Sequence, residues 1–328
     1  MPIALALQGG GAHGAFTWGV LDSLLAVDRH DIRAITGTSA GALNAVVLAD
    51  GLIAGGPQAA RAKLRQLWRR VGTQGSFSPW RSTPIATLTD GWNMDGAANH
   101  ASLDLMTQML SPYQFNPLDM NPLRNLLIEL VDFERLRRAE RLDLRIGATN
   151  LRTGKARLFR TSELSCEAVL ASCALPWLHH AVAIDGEHYW DGGYTTNPPL
   201  LPLLDQDSPD DILLIEIDPP EEPDLPVTAR AIQNHVRRLI FRAPLMHEFE
   251  TLEWLRDSAE PDSPLARRLQ RLRLHRLADH ESLRSFGQSS KLNPEWPFLR
   301  RLFEIGTATG NNWLARSQRT PAAAHRRL

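Results

Sequence analysis

A serine in a glycine-rich turn has the sequence context of a catalytic nucleophile. Ser39 stands in the pentapeptide "GTSAG", which directly follows the apolar run "IRAIT". A G-x-S-x-G turn between a strand and a helix places its serine on a strained elbow with the hydroxyl projecting, and the small residues Gly37 and Gly41 leave the approach open. Ser39 is therefore a candidate to attack the carbonyl carbon of an ester.

A second glycine-rich loop lies upstream, in "QGGGAHGAF". The backbone N–H groups of Gly9, Gly10 and Gly11 can point into a cleft at the start of a helix, where the peptide dipoles favour negative charge. This arrangement is what an oxyanion hole requires.

The same loop also fits the dinucleotide-binding pattern G-x-G-x-x-G through Gly9, Gly11 and Gly14. A dinucleotide site needs an acidic residue about 20 positions further on, at the end of the second strand. Asp28 and Asp31 come before "IRAIT" instead of after it. We therefore expect no nucleotide cofactor.

The group that accepts the serine proton is the harder question. A Ser-His-Asp triad would place its histidine on a loop late in the chain, but no downstream histidine has glycine-rich surroundings that would present it to a cleft: His179, His180, His188, His235, His247, His275, His280 and His325. In "WDGGY", by contrast, Asp191 lies at a strand end before two glycines, and this open turn leaves the carboxylate accessible. Asp185 in "IDGEHY" is a fallback acid, although that stretch is more typical of a hairpin turn.

Four motifs, "GGGAHG", "GTSAG", "ASCALP" and "DGG", resemble in order and spacing those of the patatin-like phospholipases, over roughly residues 3–218. The resemblance implies a three-layer α/β/α sandwich around a parallel sheet, and catalysis by a Ser-Asp dyad without histidine, metal or cofactor. Carried over, it makes Ser39 the nucleophile, Asp191 the base and the backbone of Gly9 to Gly11 the oxyanion hole.

One position departs from the family pattern. His13 stands where the family has Arg or Lys, a cation thought to support the oxyanion loop. If a protonated His13 assists catalysis, activity should fall as the pH rises through about 6.5; the alternative is a loop residue without a catalytic role. Asn197 in "TTNPPL" resembles a position that braces the site, with loop capping as the alternative, and Ser172 in "ASCALP" is expected to pack nearby.

The elements around these motifs favour an α/β fold. Strand-like runs at 3–8 and 32–36 each precede a helical pattern, and "DILLIEID" is typical of a buried strand. We expect a catalytic domain over residues 1–218, with a lid-like insertion at 72–122, and a mainly helical part over 219–328 packed on the same domain.

Composition limits the remaining function classes. The chain has 328 residues, 43% of them hydrophobic, and a net charge of −1, which argues against nucleic-acid binding. From residue 226 onward there are 18 Lys plus Arg against 10 Asp plus Glu, an excess that would suit an anionic membrane surface or simply solvated helices. The two cysteines, Cys166 and Cys173, offer neither a disulfide framework nor zinc spacing and are expected in the core.

The start "MPIALALQGG" is too short and lacks the basic flank of a signal peptide, so we expect a cytoplasmic protein, with any membrane contact peripheral and at the inner face. The sequence predicts a serine hydrolase that cleaves fatty-acyl esters of lipids such as phospholipids or lysophospholipids. Acyl transfer through the same acyl-enzyme and lipid binding without catalysis remain the alternatives.

Overall fold

A mixed β-sheet forms the centre of the protein. The computed structural model describes residues 2–27, 29–75, 92, 109–218 and 225–319. The strands are β1 (Pro2–Leu7), β2 (Asp31–Thr38), β3 (Asp143–Asn150), β4 (Ala156–Arg160), β5 (Val182–Ile184), β6 (Glu187–Asp191), β7 (Asp211–Ile215) and β8 (Arg273–Leu277). They run in the order β5-β6-β3-β2-β1-β7-β8, with β4 also paired to β3. Strands β3, β2, β1, β7 and β8 are parallel to one another. Strands β4 and β6 pair antiparallel with β3, and β5 pairs antiparallel with β6.

Helices cover both faces of this sheet. They are α1 (Gly14–Val27), α2 (Ala40–Gly75), α3 (Pro112–Phe115), α4 (Pro122–Leu130), α5 (Phe133–Arg137), α6 (Cys166–Ser172), α7 (Ala229–Ser258), α8 (Pro264–Arg271), α9 (His280–Arg284) and α10 (Trp296–Arg319). Most of the predicted lid, residues 76–91 and 93–108, lies outside the described residues.

Strand β1 shows how the sequence builds two cores. Its side chains alternate between the faces of the sheet: Leu5 and Leu7 enter a core with α1, α2, α6 and α10, while Ala4 and Ala6 enter a second core with α7 and α8. Every residue of the strand after Pro2 is buried, as expected for a parallel strand covered on both sides. The predicted three-layer α/β sandwich is thus confirmed.

Helix α2 begins directly after Ser39 and packs in the first core. It is interrupted at Gly55 and Gly56, whose backbone angles are not helical, and Pro57 follows this kink. Among the described residues it is the one helix long and apolar enough to cross a membrane, yet 67% of its apolar window is buried inside the protein. Its apolar composition reflects packing in the core.

The C-terminal residues add to the same sheet. Strand β8 forms over Arg273–Leu277 and pairs in parallel with β7. Helix α10 lies so close to α1 that a Cβ at Gly306 would lie 2.0 Å from the Phe16 carbonyl oxygen. Glycine is therefore needed there for the two helix backbones to approach.

Candidate active site

The turn that carries Ser39 is sterically fixed. Ser39 lies between β2 and α2 with φ = 54°, in the left-handed region that non-glycine residues rarely adopt. A Cβ at Gly37 would lie 2.7 Å from the Gly41 carbonyl oxygen, and one at Gly41 would lie 2.0 Å from the Leu7 carbonyl oxygen. The turn therefore has no room for a side chain at either glycine, and the strained elbow expected from "GTSAG" is present.

Strand register brings Ser39 and Asp191 to the same end of the sheet. Thr38, the last residue of β2, pairs with Gly147 on β3, and the next residue of β3, Ala148, pairs with Asp191 at the end of the antiparallel strand β6. Because β6 runs antiparallel to β3, its last residue, Asp191, lies at the level at which β2 ends. Two residues 152 positions apart in the sequence thus flank one point of β3.

Asp191 is held by backbone contacts. Its N–H donates to the Ala174 carbonyl oxygen at 2.8 Å, and its carboxylate Oδ1 accepts from the Gly193 N–H at 2.8 Å. The turn after Asp191 does not leave the carboxylate accessible to solvent, in contrast to what the sequence indicated: the side chain is fully buried, close to the Ser39 hydroxyl. Oδ2 has no well-aligned hydrogen bond among the described residues, which is common for catalytic pairs before substrate binds.

Burial changes the proton affinity of this carboxyl group. Removal from water raises the pKa of Asp191 from 3.8 to about 7, and the hydrogen bond from Gly193 and the nearby Ser39 hydroxyl only partly oppose the rise. A carboxylate that binds a proton with a pKa near neutrality is a far better base than a solvated aspartate.

Ser172 fixes the backbone of the elbow. The Ser39 N–H donates to Ser172 Oγ at 2.9 Å, and that hydroxyl donates to the Gly147 carbonyl oxygen at 2.6 Å. The sequence indicated only that Ser172 packs near the site. Its buried hydroxyl in fact bridges the elbow to β3.

The three glycines of the predicted oxyanion hole are not equivalent. The Gly9 N–H donates to Asn197 Oδ1 at 2.7 Å, so this amide is already used. The N–H groups of Gly10 and Gly11 have no hydrogen-bond partner within the part of the chain that the structure describes, and both residues line the cavity that contains Ser39. The structure thus narrows the candidate donors from three amides to those of Gly10 and Gly11.

Asn197 links this loop to the C-terminal part. Besides accepting from Gly9, its Nδ2 donates to the Phe241 carbonyl oxygen on α7 at 3.0 Å. The side chain is fully buried. Asn197 therefore contacts the glycine loop as a bracing residue would.

His13 is buried beside the glycine loop. Its Nε2 lies 2.7 Å from Ser290 Oγ, and because that hydroxyl donates to the Gly287 carbonyl oxygen, the histidine Nε2–H is the donor of the pair. Burial, together with the nearby charge of Lys291, lowers the pKa of His13 to about 3. The protonated form on which the expected pH effect depended is not populated near neutral pH.

A cavity of about 160 Å³ opens onto the nucleophile. It is mostly apolar, with two basic side chains among its walls. The lining residues are Gly10, Gly11, Ser39, Leu175, Trp177, Leu178, Tyr194, Arg237, Phe241, Gln288, Ser289, Lys291 and Leu292. Five of these residues are aliphatic or aromatic, excluding Tyr194, and would suit a hydrocarbon chain.

The other titratable candidates lie elsewhere. Among the nine described histidines, none lines this cavity, and none is hydrogen-bonded to Ser39 or Asp191; His100 and His325 lie outside the described residues. Asp185 occupies the β5–β6 hairpin turn, at the opposite end of β6 from Asp191. No group of three or more His, Cys, Asp or Glu that could hold a metal occurs in the described ranges.

Several site residues come from the part of the chain that the motifs did not reach. Lys291, Leu292 and Phe241 form cavity wall, and Glu248 accepts from the N–H groups of Leu200 and Leu201, which fixes the segment after Asn197. No local sequence signal marks these residues, because their roles depend on long-range packing.

Comparison with known proteins identifies the family. The family model described as patatin-like phospholipase matches residues 5–204, more than half of the chain. The chain belongs to the patatin-like phospholipase family. The matched region contains the glycine loop, Ser39 and Asp191, and excludes α7 and residues 288–292, which supply the rest of the cavity wall.

Two solved structures are similar to this family member at low identity. VipD from Legionella pneumophila matches 92% of the chain with 14% identity and a TM-score of 0.36, and a chain of the ExoU–SpcU complex from the type III secretion system of Pseudomonas aeruginosa matches 97% with 16% identity and a TM-score of 0.31. The chain spans 66% and 59% of the length of those two chains. No curated protein matches the chain significantly.

Proposed function

We propose that this protein hydrolyses acyl esters of lipids through an acyl-enzyme on Ser39, with Asp191 as the base. The observation that carries the proposal is the complete burial of the Asp191 carboxylate close to Ser39, where the ends of β2 and β6 meet beside β3, with its pKa raised to about 7. Family membership supports a lipid hydrolase in general.

The first half-reaction acylates the serine. Asp191 takes the proton of the Ser39 hydroxyl while Oγ attacks the ester carbonyl carbon, and the carbonyl oxygen becomes an oxyanion. The N–H groups of Gly10 and Gly11 would stabilise this negative charge. As the C–O bond of the ester breaks, Asp191 returns the proton to the leaving alcohol oxygen, and the acyl group stays on Ser39.

The second half-reaction frees the enzyme. A water molecule attacks the acyl carbon while Asp191 takes one of its protons, and collapse of the second oxyanion breaks the bond to Oγ. The proton then passes back to Ser39, and a carboxylic acid leaves. The raised pKa of Asp191 suits both directions of transfer, because a group with a pKa near the working pH accepts and donates protons readily.

The cavity supports an apolar acyl group as substrate. Leu175, Leu178 and Leu292 provide aliphatic wall close to Ser39, and Phe241 adds an aromatic surface. Hydrocarbon contacts of this kind bind an acyl chain through burial of apolar surface.

The test uses an ester panel of graded chain length with the wild type, Ser39→Ala and Asp191→Asn. We expect hydrolysis by the wild type and its near-complete loss in both variants, with both remaining folded. Labelling of Ser39 by a fluorophosphonate, located by peptide mass, is the matching direct readout, and product analysis with added alcohol acceptors separates hydrolysis from acyl transfer. An unreactive Ser39 in a folded wild type would reject the proposal in favour of lipid binding alone.

A further inference from the structure

Glu248 is a half-buried carboxylate that takes no part in the proposed reaction. It lies on α7 and accepts three hydrogen bonds from the connection between β6 and β7. The N–H groups of Leu200 and Leu201 donate to Oε2 at 2.5 and 2.7 Å, and the Thr196 hydroxyl donates to Oε1 at 3.1 Å. Both carboxylate oxygens are therefore engaged, and they hold residues 196–201 against the helix.

Thr196 links this contact to the elbow of Ser39. Its carbonyl oxygen accepts at 2.8 Å from the hydroxyl of Thr38, the residue directly before the nucleophile. Its methyl group packs on β3, where a Cβ at Gly147 would lie 2.7 Å from Thr196 Cγ2. Because the side chain and the carbonyl group of Thr196 are both fixed, a displacement of its hydroxyl also displaces the acceptor of Thr38.

The next residue reaches the other half of the site. Asn197 Oδ1 accepts from the Gly9 N–H, and Asn197 Nδ2 donates to the Phe241 carbonyl oxygen, about two helical turns before Glu248 on α7. Two adjacent residues, Thr196 and Asn197, thus contact the loop of the nucleophile and the glycine loop. Helix α7 holds both of them from the other side.

We propose that Glu248 is a positioning residue, which fixes the Ser39 elbow relative to the amides of the glycine loop through Thr196 and Asn197. Glu248, Thr196 and Asn197 do not line the cavity. Glu248 therefore acts on the alignment of the reacting groups, which acyl transfer requires, and not on the surface that receives substrate. The proposal rests on the proposed function for the reaction that it serves.

A buried arginine holds the far end of the same connection and provides a matched control. Arg268 on α8 is 1% exposed and donates to three backbone carbonyl oxygens. They belong to Leu203, Leu204 and Pro209. This end leads to Asp211, which pairs with Ile3 near the start of β1, at the edge of the sheet opposite to Ser39. Arg268 thus fixes the same connection away from the site.

The test compares Glu248→Leu, Glu248→Gln and Arg268→Met in the hydrolysis of a dissolved short-chain ester. Glu248→Leu removes both acceptor oxygens, and we expect kcat per folded molecule to fall about 10- to 100-fold, with KM changed less than about threefold. Glu248→Gln keeps an oxygen for the two N–H groups and should restore kcat to within severalfold of the wild type. Arg268→Met should lower the urea midpoint of unfolding and leave kcat as in the wild type.

Hydrogen exchange, followed by peptide mass, provides a readout that does not depend on catalysis. In Glu248→Leu, the amides of Gly9 and Ser39 should exchange faster than in the wild type, as should those of Leu200 and Leu201. In Arg268→Met, the amides of Gly9 and Ser39 should exchange as in the wild type.

Three results would overturn the positioning proposal. They are an unchanged kcat in Glu248→Leu, an equal loss of kcat in Arg268→Met, and a raised KM with unchanged kcat, which would assign Glu248 to substrate binding. A wild type that hydrolysed no ester would reject the proposed function instead. The exchange rates at Gly9 and Ser39 would then decide the positioning proposal by themselves.

Discussion

Two buried aspartates lie in the same sheet, and their environments are opposite. Asp211 begins β7, where it accepts from Arg273 Nε at 2.7 Å and pairs with His275 Nε2 at 2.8 Å. Burial opposes its ionisation, but these two partners outweigh that effect and hold the pKa of Asp211 well below its usual range. Within the described ranges, the carboxylate of Asp191 at the end of β6 accepts a hydrogen bond from the Gly193 amide and lies near the Ser39 hydroxyl, without a cationic partner, and burial raises its pKa to about 7.

The difference shows what makes a carboxylate a base in this fold. Burial by itself makes the proton bind more tightly, whereas burial with cationic partners makes it bind more weakly. Asp211 is thus fixed as an anion that ties two strands together. Asp191, kept apart from cationic side chains, retains a proton affinity that can be used in catalysis.

The largest expected difference between the two aspartates is the effect of their substitution on the rate of ester hydrolysis. Asp191→Asn removes the base, and we expect the rate of ester hydrolysis to fall at least about 10³-fold, as with Ser39→Ala. Asp211→Asn should leave the rate per folded molecule close to that of the wild type. Initial rates on the ester panel, with the folded fraction measured by circular dichroism, provide the comparison. An active Asp191→Asn protein would remove this residue from the mechanism.

Substitution of the two aspartates should change the stability of the fold in opposite directions. The Asp191 carboxyl has a raised pKa in the folded state, so its ionisation costs stability as the pH rises from about 4 to about 7. At about pH 8, Asp191→Asn should therefore increase the free energy of unfolding by up to about 4 kcal/mol, from about 3 pKa units at 1.36 kcal/mol each. The gain should approach zero only below about pH 3, where the carboxyl group is protonated in both the folded and the unfolded state.

Asp211→Asn, in contrast, breaks an ion pair between a buried aspartate and a partly exposed arginine, and should lower the free energy of unfolding by about 1 to 2 kcal/mol. The stability that Asp211 provides is present above its unfolded pKa and is lost only as the pH falls toward its depressed folded value. Urea titrations of both variants at two pH values measure these effects. If Asp191→Asn destabilised the protein at about pH 8, this would contradict the conclusion that the pKa of Asp191 is raised by burial without a cationic partner.

Positioning of the nucleophile should have a smaller effect. Ser172→Ala removes the acceptor of the Ser39 N–H, and a lost bond of about 1 to 1.5 kcal/mol corresponds to about a tenfold lower kcat. Ser23→Ala is the matched control, because Ser23 is also buried and its hydroxyl donates to the Val20 carbonyl oxygen at 2.8 Å. Equal effects of the two substitutions on kcat would show that Ser172 contributes to the fold in general and does not specifically position Ser39.

His13 should have the smallest effect. With its pKa lowered to about 3, the imidazole is already neutral under assay conditions. We expect His13→Gln, which can still donate to Ser290, to change kcat/KM only severalfold and to leave its pH dependence as in the wild type. Loss of an inflection near pH 6.5 in this variant would restore the cationic role expected from the sequence.

The parts of the site that the sequence predicts are local. A strand, a G-x-S-x-G turn and a helix identify Ser39 because the elbow is built from adjacent residues, and "WDGGY" marks Asp191 for the same reason. The engagement of Gly9 by Asn197, the bridging hydroxyl of Ser172 and the cavity wall at Lys291 depend on contacts between distant segments. A weak aspartate base requires a water-poor cleft to raise its basicity, and the raised pKa of Asp191 agrees with this expectation; the complete burial that causes it depends on long-range packing.

Besides the catalytic roles of the site residues, three expectations from the sequence stay predictions. They are the lid-like role of residues 72–122, the division into residues 1–218 and 219–328, and the cytoplasmic location. Removal of the C-terminal part would take β8 from the sheet and Phe241 and Lys291 from the cavity. The two parts are therefore better tested by point substitutions than by truncation.

The most direct test of the carboxylate as base is the rate at which a fluorophosphonate labels Ser39, measured against pH, since this rate does not depend on the natural substrate. The wild type and His13→Gln should both show a rate that rises with pH and levels off above an apparent pKa near 7, the value expected for Asp191. Asp191→Asn should label slowly and without this rise. A variant that labels as fast as the wild type, or keeps the same pH dependence, would contradict the account.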